Sequence, residues 1–289
     1  MPSVSSGQST TAITAATRVF AVLGDPVAHS LSPVIQNAAI QGTGVDGVYV
    51  ALRCGEGELH GVMTGLAQAG GGGNVTLPHK ERAAALVEVP SDAVRRTGAC
   101  NTFWMKDGRL HGDNTDVDGL RRGLREDPDV DVGDRRVLLL GAGGAGRAAL
   151  MALLEEGAQE VVLLNRSVER ARIVARRIGG VRTRVAMRWD EVKGQDFHLV
   201  VHATRLGLDP SDPLPVQLEE LGTVDALVDV VYGRDPTRLV LRARELGLPA
   251  RDGREMLLQQ GAVAFERWWG RKAPLHLMRE ALTADGRRG

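Results

Sequence analysis

The 289-residue chain is long enough for two domains, and its 43% hydrophobic and 25% charged residues are typical of a globular protein. The 36 Lys and Arg residues balance the 36 Asp and Glu residues, so no bulk charge attracts a nucleic acid or an anionic membrane. No apolar run approaches the ~20 residues of a transmembrane helix. We therefore expect neither a nucleic-acid partner nor a membrane partner.

Residues 1–17 are rich in Ser, Thr and Ala and lack both a basic start and a continuous apolar core. This composition predicts a flexible tail rather than a secretory signal. Cys54 and Cys100 lie far apart without CxxC spacing, which argues against a disulfide framework and against a thiolate zinc site. We expect a cytoplasmic protein that holds no metal.

Apolar runs alternate with helical patterns along the rest of the chain, which is typical of parallel sheets with crossover helices. Strands are predicted at 19–23, 48–52, 74–77, 101–105, 137–140, 160–164, 181–187, 199–203 and 226–231. Helices are predicted at 33–41, 58–69, 79–87, 144–156, 168–178, 237–246, 256–269 and 275–282. The polar stretch 126–136 precedes a strongly apolar strand, so a domain boundary is expected within 116–135. The predicted class is α/β with two domains.

A glycine-rich turn joins the predicted strand at 137–140 to the helix that follows. Gly141, Gly143 and Gly146 form a GxGxxG motif in the strand–turn–helix context of a dinucleotide-binding site. Glycines permit a tight turn and a close approach of pyrophosphate, while the helix N-terminus offers free N–H groups. A purely structural glycine-rich turn is the alternative. The predicted cofactor contacts here are Gly141, Ala142, Gly143, Gly144 and Ala145.

The end of the next predicted strand carries no carboxylate. NAD-binding proteins of this kind usually have Asp or Glu there for the ribose 2′-hydroxyl, whereas this sequence has Asn165, Arg166 and Ser167, followed by Arg170. Two guanidinium groups can hold a dianionic 2′-phosphate through charge and paired hydrogen bonds. The sequence therefore predicts NADP as the cofactor, with ordinary solvated arginines as the alternative.

Short polar clusters follow the predicted strands of the amino-terminal half, where α/β proteins place their ligands. They lie at 24–33 (GDPVAHSLSP), 74–80 (NVTLPHK), 98–102 (GACNT) and 114–116 (NTD). In this order, and with GAGGAG at 141–146, they resemble the shikimate dehydrogenase family over residues 18 to about 285. The resemblance implies a substrate-binding domain, a Rossmann-type NADP-binding domain, and the reversible reduction of 3-dehydroshikimate to shikimate.

The resemblance assigns the proton transfer of this reaction to Lys80 and Asp116. The Lys80 ammonium would protonate the carbonyl oxygen, and the Asp116 carboxylate would orient a ring hydroxyl and tune the pKa of the lysine. Without the resemblance, Lys80 is an ordinary surface lysine at a helix start. Asp116 is then the N-cap of a helix that begins at Val117.

Further residues match family positions that hold the ring acid. Ser30 and Ser32 would bind its carboxylate, although Ser32 before Pro33 is also a typical start of a helix. The remaining predicted substrate contacts are Asn74, Thr76, Asn101, Tyr232 and Gln260. The predicted cofactor contacts are completed by Thr204 and Gly253.

Because Gln260 lies in the last helices, these helices have to return to the first domain. The predicted substrate domain is therefore discontinuous, at residues 18–116 and 254–289, and the predicted nucleotide domain covers residues 117–253. The cleft between them is expected to close about the two crossovers. The expected partner is a small-molecule substrate, and the expected assembly is a monomer or a homodimer.

Departures from the family pattern leave alternatives open. His202 and Arg205 stand where the NATSxG motif of the family has Asn and Ser, and the proline of YxPxxT is found instead at Pro236. A quinate or aminoshikimate dehydrogenase of the same family is one alternative, because few pocket groups decide the substrate. A catalytically weak NADP-binding sensor is the alternative of another class, although Lys80 and Asp116 are both retained.

Overall fold

The computed structural model describes residues 12–209, 211–233 and 235–285. Residues 1–11 of the expected tail lie outside the described residues. Residues 12–16 are exposed, and a turn follows in which the Thr17 N–H donates to the Thr14 carbonyl at 3.2 Å. In these three segments, no helix combines the length and the apolar character that crossing a bilayer requires.

Each predicted strand and helix has a counterpart, and further elements are present. The strands are β1 (Arg18–Gly24), β2 (Gly47–Arg53), β3 (Gly72–Val75), β4 (Val89–Pro90), β5 (Thr102–Lys106), β6 (Arg109–Asp113), β7 (Arg136–Leu140), β8 (Glu160–Leu164), β9 (Thr183–Ala186), β10 (Phe197–His202), β11 (Val224–Asp229) and β12 (Ala250–Arg251). The helices are α1 (Ser32–Thr43), α2 (Leu59–Gln68), α3 (Lys80–Leu86), α4 (Asp92–Thr97), α5 (Thr115–Glu126), α6 (Gly144–Glu155), α7 (Val168–Val174), α8 (Arg238–Glu245), α9 (Arg254–Trp269) and α10 (Leu275–Asp285). A π-helical turn at Ala175–Gly179 continues α7.

The first six-stranded sheet has the order β2-β1-β3-β5-β6-β4 and is mixed. β1 pairs in parallel with β2 and β3, but β5 runs antiparallel to both β3 and β6. The parallel pairing that the alternation of strands and helices predicts is wrong for β5. A tight hairpin joins β5 to β6, and in it Asp107 and Gly108 take positive φ values of 50° and 71°. Asp-Gly is a preferred pair for such a turn.

The second six-stranded sheet has the order β12-β11-β10-β7-β8-β9, and all of its strands are parallel. This is the strand order of a Rossmann fold, in which the chain direction across the sheet reverses between β7 and β10. Ligands of open α/β sheets bind in the crevice at such a switch point, outside the carboxyl ends of the strands. The glycine-rich turn after β7 lies at this crevice.

Apolar side chains cover both faces of both sheets. In β7, Val137 and Leu139 join one core and Leu138 and Leu140 join the other, because successive side chains point to opposite faces. In β1, Phe20 and Ala21 alternate between two cores in the same way. Burial on both faces explains why these strands are continuous apolar runs in the sequence.

The region in which a domain boundary was expected contains a helix. α5 occupies Thr115–Glu126, so the polar connection to β7 begins only after Glu126. A Cβ added to Gly119 in α5 would stand 2.6 Å from Cβ of Gln260 in α9, so the glycine allows these two helices to approach closely. The exact limits of the two domains stay a prediction.

Candidate active site

The glycine-rich loop has the geometry that the sequence predicts. Gly141 takes a φ of 110°, and a Cβ at that position would stand 2.6 Å from the Ala203 carbonyl oxygen. A Cβ on Gly146 would stand 2.1 Å from the Gly141 carbonyl oxygen, so close packing of α6 on the loop requires glycine. The space beside Gly143 is open to 4 Å, and this residue is the N-cap of α6. Because Gly143 has no side chain, the first N–H groups of α6 are free for an anion.

The end of β8 is tied to this loop. Asn165 Oδ1 accepts from the Ala142 N–H at 3.1 Å, and Arg170 Nε donates to the Ala142 carbonyl at 3.0 Å. Ser167 caps α7, because its Oγ accepts from the Arg170 N–H. Arg166 is exposed, and it has no hydrogen-bond or ion-pair partner among the described residues. Two cationic side chains therefore stand beside the loop, one held against it and one free in solvent.

Lys80 and Asp116 form an ion pair in which Nζ lies 2.6 Å from Oδ2. Only 14% of the lysine side chain and 6% of the aspartate side chain are exposed, so Lys80 is not an ordinary surface lysine. Asp116 is also not an N-cap, because α5 begins at Thr115 and has Asn114 as its N-cap. The structure therefore contradicts both alternatives that treat these residues as structural.

The lysine also contacts the nucleotide loop. A Cβ added to Gly144 would stand 3.3 Å from Cδ of Lys80, which places the methylene stem of the lysine against the first turn of α6. The Lys80 stem therefore joins the glycine loop of the second sheet to a carboxylate of α5. A proton donor at this position faces both halves of the molecule.

Asn101 connects Asp116 with the helices around it. Its Nδ2 donates to Asp116 Oδ1 at 2.8 Å and contacts Gln260 Oε1 at 3.3 Å. Its Oδ1 accepts from the Thr115 N–H at 2.8 Å. Both oxygens of Asp116 thus accept from donors, Oδ2 from Lys80 and Oδ1 from Asn101, which fixes the orientation of the carboxylate. Gln260 Nε2 donates to the Leu257 carbonyl, so its amide is also fixed.

A second cluster of buried polar side chains lies within the first sheet, next to Asn101. Asn74 Nδ2 donates to the Asn101 carbonyl at 3.0 Å, and Asn74 Oδ1 accepts from the hydroxyl of Tyr49 at 2.6 Å. The Tyr49 hydroxyl also bonds to Ser32, and burial raises the pKa of this tyrosine well above its usual value. Sequence reasoning missed Tyr49, which is 1% exposed and lies within an ordinary strand pattern.

Ser32 is the first residue of α1 and not its N-cap. The N-cap is Leu31, which makes no side-chain capping bond, and Ser30 Oγ accepts from the Ser32 N–H at 3.3 Å. Ser30 also bonds to the half-buried Tyr232, and burial raises the pKa of Tyr232 to about 12, with nearby Asp116 acting in the same direction. The hydroxyl of Tyr232 therefore stays protonated and able to donate.

Two predicted residues stand apart from this network. Thr76 is half-buried; its backbone N–H donates to the Leu23 carbonyl at 2.8 Å, and its side chain has no hydrogen bond among the described residues. Gly253 is the N-cap of α9, where a Cβ would stand 2.2 Å from the Val230 carbonyl oxygen. Its backbone N–H donates to the carbonyl of Val231, next to Tyr232.

His202, a departure from the expected family motif, lies in the protein interior. Its side chain is fully buried, with Nδ1 2.8 Å from Asp229 Oδ1 and Nε2 2.6 Å from the Thr204 hydroxyl. Asp229 Oδ2 accepts from the Thr237 hydroxyl at 2.6 Å. This chain of hydrogen bonds links the loop after β10 to the loop after β11. Arg205, the other departure, is exposed.

Apart from Thr76, Gly253 and Arg166, the predicted residues fall into two connected sets, and Lys80 lies between them. One set surrounds the glycine loop, and the other surrounds Asp116 and Asn101. Across the three described segments, no group of three or more His, Cys, Asp or Glu side chains is arranged to hold a metal ion. Cys54 and Cys100 are both free and buried.

Together, the mixed sheet and the parallel sheet define a two-domain α/β protein whose second domain is of the Rossmann type. Three family models match the chain. The shikimate dehydrogenase substrate binding domain matches residues 22–103, the shikimate / quinate 5-dehydrogenase family matches 126–205, and the shikimate 5′-dehydrogenase C-terminal domain matches 253–283.

Relatives of this chain match it in sequence over nearly its whole length. The chain is 38% identical to shikimate dehydrogenase (NADP(+)) of Methanopyrus kandleri over 93% of this chain and 96% of the relative. It is 40% identical to the protein of the same name from Rhodospirillum rubrum over 89% of this chain and 94% of that one. The crystal structure of shikimate 5-dehydrogenase from Thermus thermophilus with NADP(H) and shikimate superimposes with a TM-score of 0.83 at 38% identity, covering 94% of this chain and 99% of that chain. The chain belongs to the shikimate dehydrogenase family.

Proposed function

We propose that this protein is an NADP-dependent oxidoreductase that interconverts 3-dehydroshikimate and shikimate, with Lys80 and Asp116 as its proton-transfer pair. Relatives over most of the chain are named shikimate dehydrogenase (NADP(+)), and one solved relative contains NADP(H) and shikimate. The observation that carries the proposal is the position of Lys80, which contacts both Asp116 and the first turn of α6.

The residues around Lys80 support acid–base chemistry at a carbonyl group. The bound cofactor supplies the hydride that reduces the carbonyl carbon. Lys80 Nζ gives a proton to the carbonyl oxygen during reduction and takes it back during oxidation, so one hydride and one proton are transferred in each direction. Asp116 holds the ammonium group at 2.6 Å, and Asn101 fixes the orientation of the carboxylate.

Hydroxyl and amide groups then orient the ring. Ser30, Ser32 and Tyr232 supply donors for the carboxylate of the ring acid, and the raised pKa of Tyr232 keeps its proton in place. Asn74, Asn101 and Gln260 surround the region beside Asp116 where ring hydroxyls would bind. Thr76 is also proposed as a substrate contact, because its side chain is left without an internal partner in the described structure.

The residues around the glycine loop fit a dinucleotide phosphate. The open space at Gly143 and the uncapped N-terminus of α6 suit the pyrophosphate. Arg166 and Arg170 suit a 2′-phosphate, because both stand beside the loop and no carboxylate occupies the end of β8. Asn165, Ser167, Thr204 and Gly253 complete the proposed set through their contacts with the loops of this edge.

The alternative of a catalytically weak sensor loses support. It depends on His202 and Arg205, but the imidazole of His202 is fully buried and Arg205 is exposed. The quinate and aminoshikimate alternatives concern only the choice of substrate. A small-molecule substrate, a monomeric or homodimeric assembly and a cytoplasmic location are part of the proposal, and the two free thiols are those expected in a reducing compartment.

The test is a steady-state assay of NADP⁺ reduction by the purified protein with shikimate, repeated with quinate and with NAD⁺. The highest kcat/KM is expected for shikimate with NADP⁺. A preference for quinate would favour the alternative enzyme. Tight NADPH binding with no turnover of any ring acid would favour the sensor and contradict the proposed activity.

A further inference from the structure

Glu81 follows Lys80 in the first turn of α3 and reaches the second half of the molecule. One of its carboxylate oxygens lies 3.1 Å from Nη2 of Arg147 in α6. The other oxygen forms an ion pair with Arg170 in α7. One carboxylate of the substrate-binding half therefore bridges two cations of the nucleotide-binding half.

The two arginines that pair with Glu81 differ in burial. Only 10% of the Arg147 side chain is exposed, and burial lowers the pKa of this guanidinium while Glu81 opposes that shift. Arg147 also donates to the Thr97 carbonyl at 3.1 Å, which keeps it in place. Arg170 and Glu81 are each 44% exposed, so solvent screens their ion pair and the pair is weak. Glu81 can therefore release Arg170 and remain bound to Arg147.

Arg170 is the cation that the nucleotide loop holds in position. Its Nε donates to the Ala142 carbonyl, and the Ala142 N–H donates to Asn165 Oδ1. A 2′-phosphate that binds here has to pair with a guanidinium that already faces Glu81. A carboxylate and a phosphate on one guanidinium repel each other, so the two anions compete.

We propose that Glu81 is a specificity-determining residue that weakens binding of the 2′-phosphate by competing for Arg170. The inference rests on the proposed NADP function, in which Arg170 contacts the 2′-phosphate. NAD carries no 2′-phosphate, so Glu81 opposes NADP selectively. When a 2′-phosphate takes Arg170, the bridge between α3 and α7 opens next to Lys80, and only the Arg147 half of the bridge remains. Occupancy of the phosphate subsite is thereby communicated to the helix that carries Lys80.

The test compares Glu81→Gln with wild type in equilibrium titrations of 2′,5′-ADP, 5′-AMP, NADPH and NADH. Glutamine keeps an acceptor oxygen for Arg147 but removes the charge that competes for Arg170. The variant is expected to bind 2′,5′-ADP and NADPH about threefold to tenfold more tightly, with 5′-AMP and NADH changed by less than about twofold. Thermal melts verify that the variant folds, and Glu81→Asp, which shortens the reach toward Arg170, is expected to shift the same affinities by a smaller factor.

Glu169→Gln is the matched control, because Glu169 precedes Arg170 on α7 and has no ion-pair partner among the described residues. It should change 2′,5′-ADP binding by less than about twofold, which separates pairing from a general charge effect. Unchanged or weaker binding of 2′,5′-ADP by Glu81→Gln, or an equal shift for 5′-AMP, would overturn the inference.

Arg170→Ala separates this inference from the function on which it rests. If Arg170→Ala weakens 2′,5′-ADP but not 5′-AMP, the phosphate subsite is confirmed, and Glu81→Gln should then have no effect in the Arg170→Ala background. If Arg170→Ala leaves 2′,5′-ADP binding unchanged, the phosphate subsite is wrong, and the role of Glu81 is rejected with it. Turnover of shikimate with NADP⁺ by the wild-type protein shows independently whether the proposed activity stands.

Discussion

Removing the charge of Lys80 tests the proton-transfer step most directly. Lys80→Met keeps an unbranched apolar side chain that can pack against Gly144, and it removes the ammonium group. We expect kcat for shikimate oxidation to fall about 10²- to 10⁴-fold, the range for general acid–base groups, with a smaller change in KM. The measurement is the initial rate of NADPH formation at saturating shikimate and NADP⁺.

The effect of Asp116→Asn follows from the contacts of its two oxygens. The oxygen that accepts from Asn101 has to remain an acceptor, so the new amide NH₂ would face the Lys80 ammonium, donor against donor. Loss of a hydrogen bond to a charged group costs about 1.5–3 kcal/mol. We therefore expect a lower kcat and a loss of stability of about that size, measured by urea denaturation.

The double variant Lys80→Met/Asp116→Asn provides the decisive comparison. If the pair acts as a unit, the second substitution should add little to the loss of kcat, because the first has already removed the proton transfer. It should also recover part of the stability lost in Asp116→Asn, since no unpaired ammonium remains near the amide. Multiplicative losses of kcat, or near-normal turnover by Lys80→Met, would refute the proposed pair.

Three further outcomes are expected. Arg166→Ala should weaken NADPH, leave NADH nearly unchanged and flatten the salt dependence of NADPH binding in fluorescence titrations; a wild-type preference for NADH would contradict this. kcat/KM for shikimate should exceed that for quinate by at least about tenfold. Ser32 is enclosed beside Tyr49, and an unpaired buried hydroxyl of quinate costs about 1–3 kcal/mol. Equal kcat/KM values for the two acids would reject this prediction. His202→Ala should lower the free energy of unfolding by about 2–4 kcal/mol, because it loses two hydrogen bonds and leaves a cavity. His202→Asn should recover part of this loss. An unchanged melting temperature of His202→Ala would show that the buried pair of His202 and Asp229 does not stabilise the fold.

The glycine loop and the buried strand before it were accessible from sequence because local chemistry dictates them. Gly141 takes a φ of 110°, and a Cβ on Gly146 would stand 2.1 Å from the Gly141 carbonyl oxygen, so this part of the motif reflects steric constraints within a few residues. The apolar strand before the loop reflects burial on both faces. Features that arise within one supersecondary unit can be read from one segment of sequence.

Features that depend on distant segments were missed. Tyr49 on β2 reaches Asn74 on β3 past the intervening strand β1, and its strand shows only an ordinary apolar pattern. Glu81 meets Arg147 and Arg170 only because α3, α6 and α7 converge in space. The Asp-Gly pair at 107 and 108 is a turn signal that could have indicated the hairpin, but the alternation of strands and helices favoured parallel pairing.

The His202 network fixes the polarity of the loop after β10. Asp229 accepts from the Val231 N–H and from the Thr237 hydroxyl, so the His202 tautomer that pairs with this carboxylate carries its hydrogen on Nδ1 and presents Nε2 as an acceptor. The Thr204 hydroxyl, 2.6 Å from Nε2, must then donate to the ring, while the Leu206 N–H donates to its oxygen at 3.1 Å. One lone pair of Thr204 remains, and a ligand group that meets it has to be a hydrogen-bond donor. A shorter asparagine at 202 would not reach both partners at these distances, so the histidine sets the polarity of Thr204 in this chain.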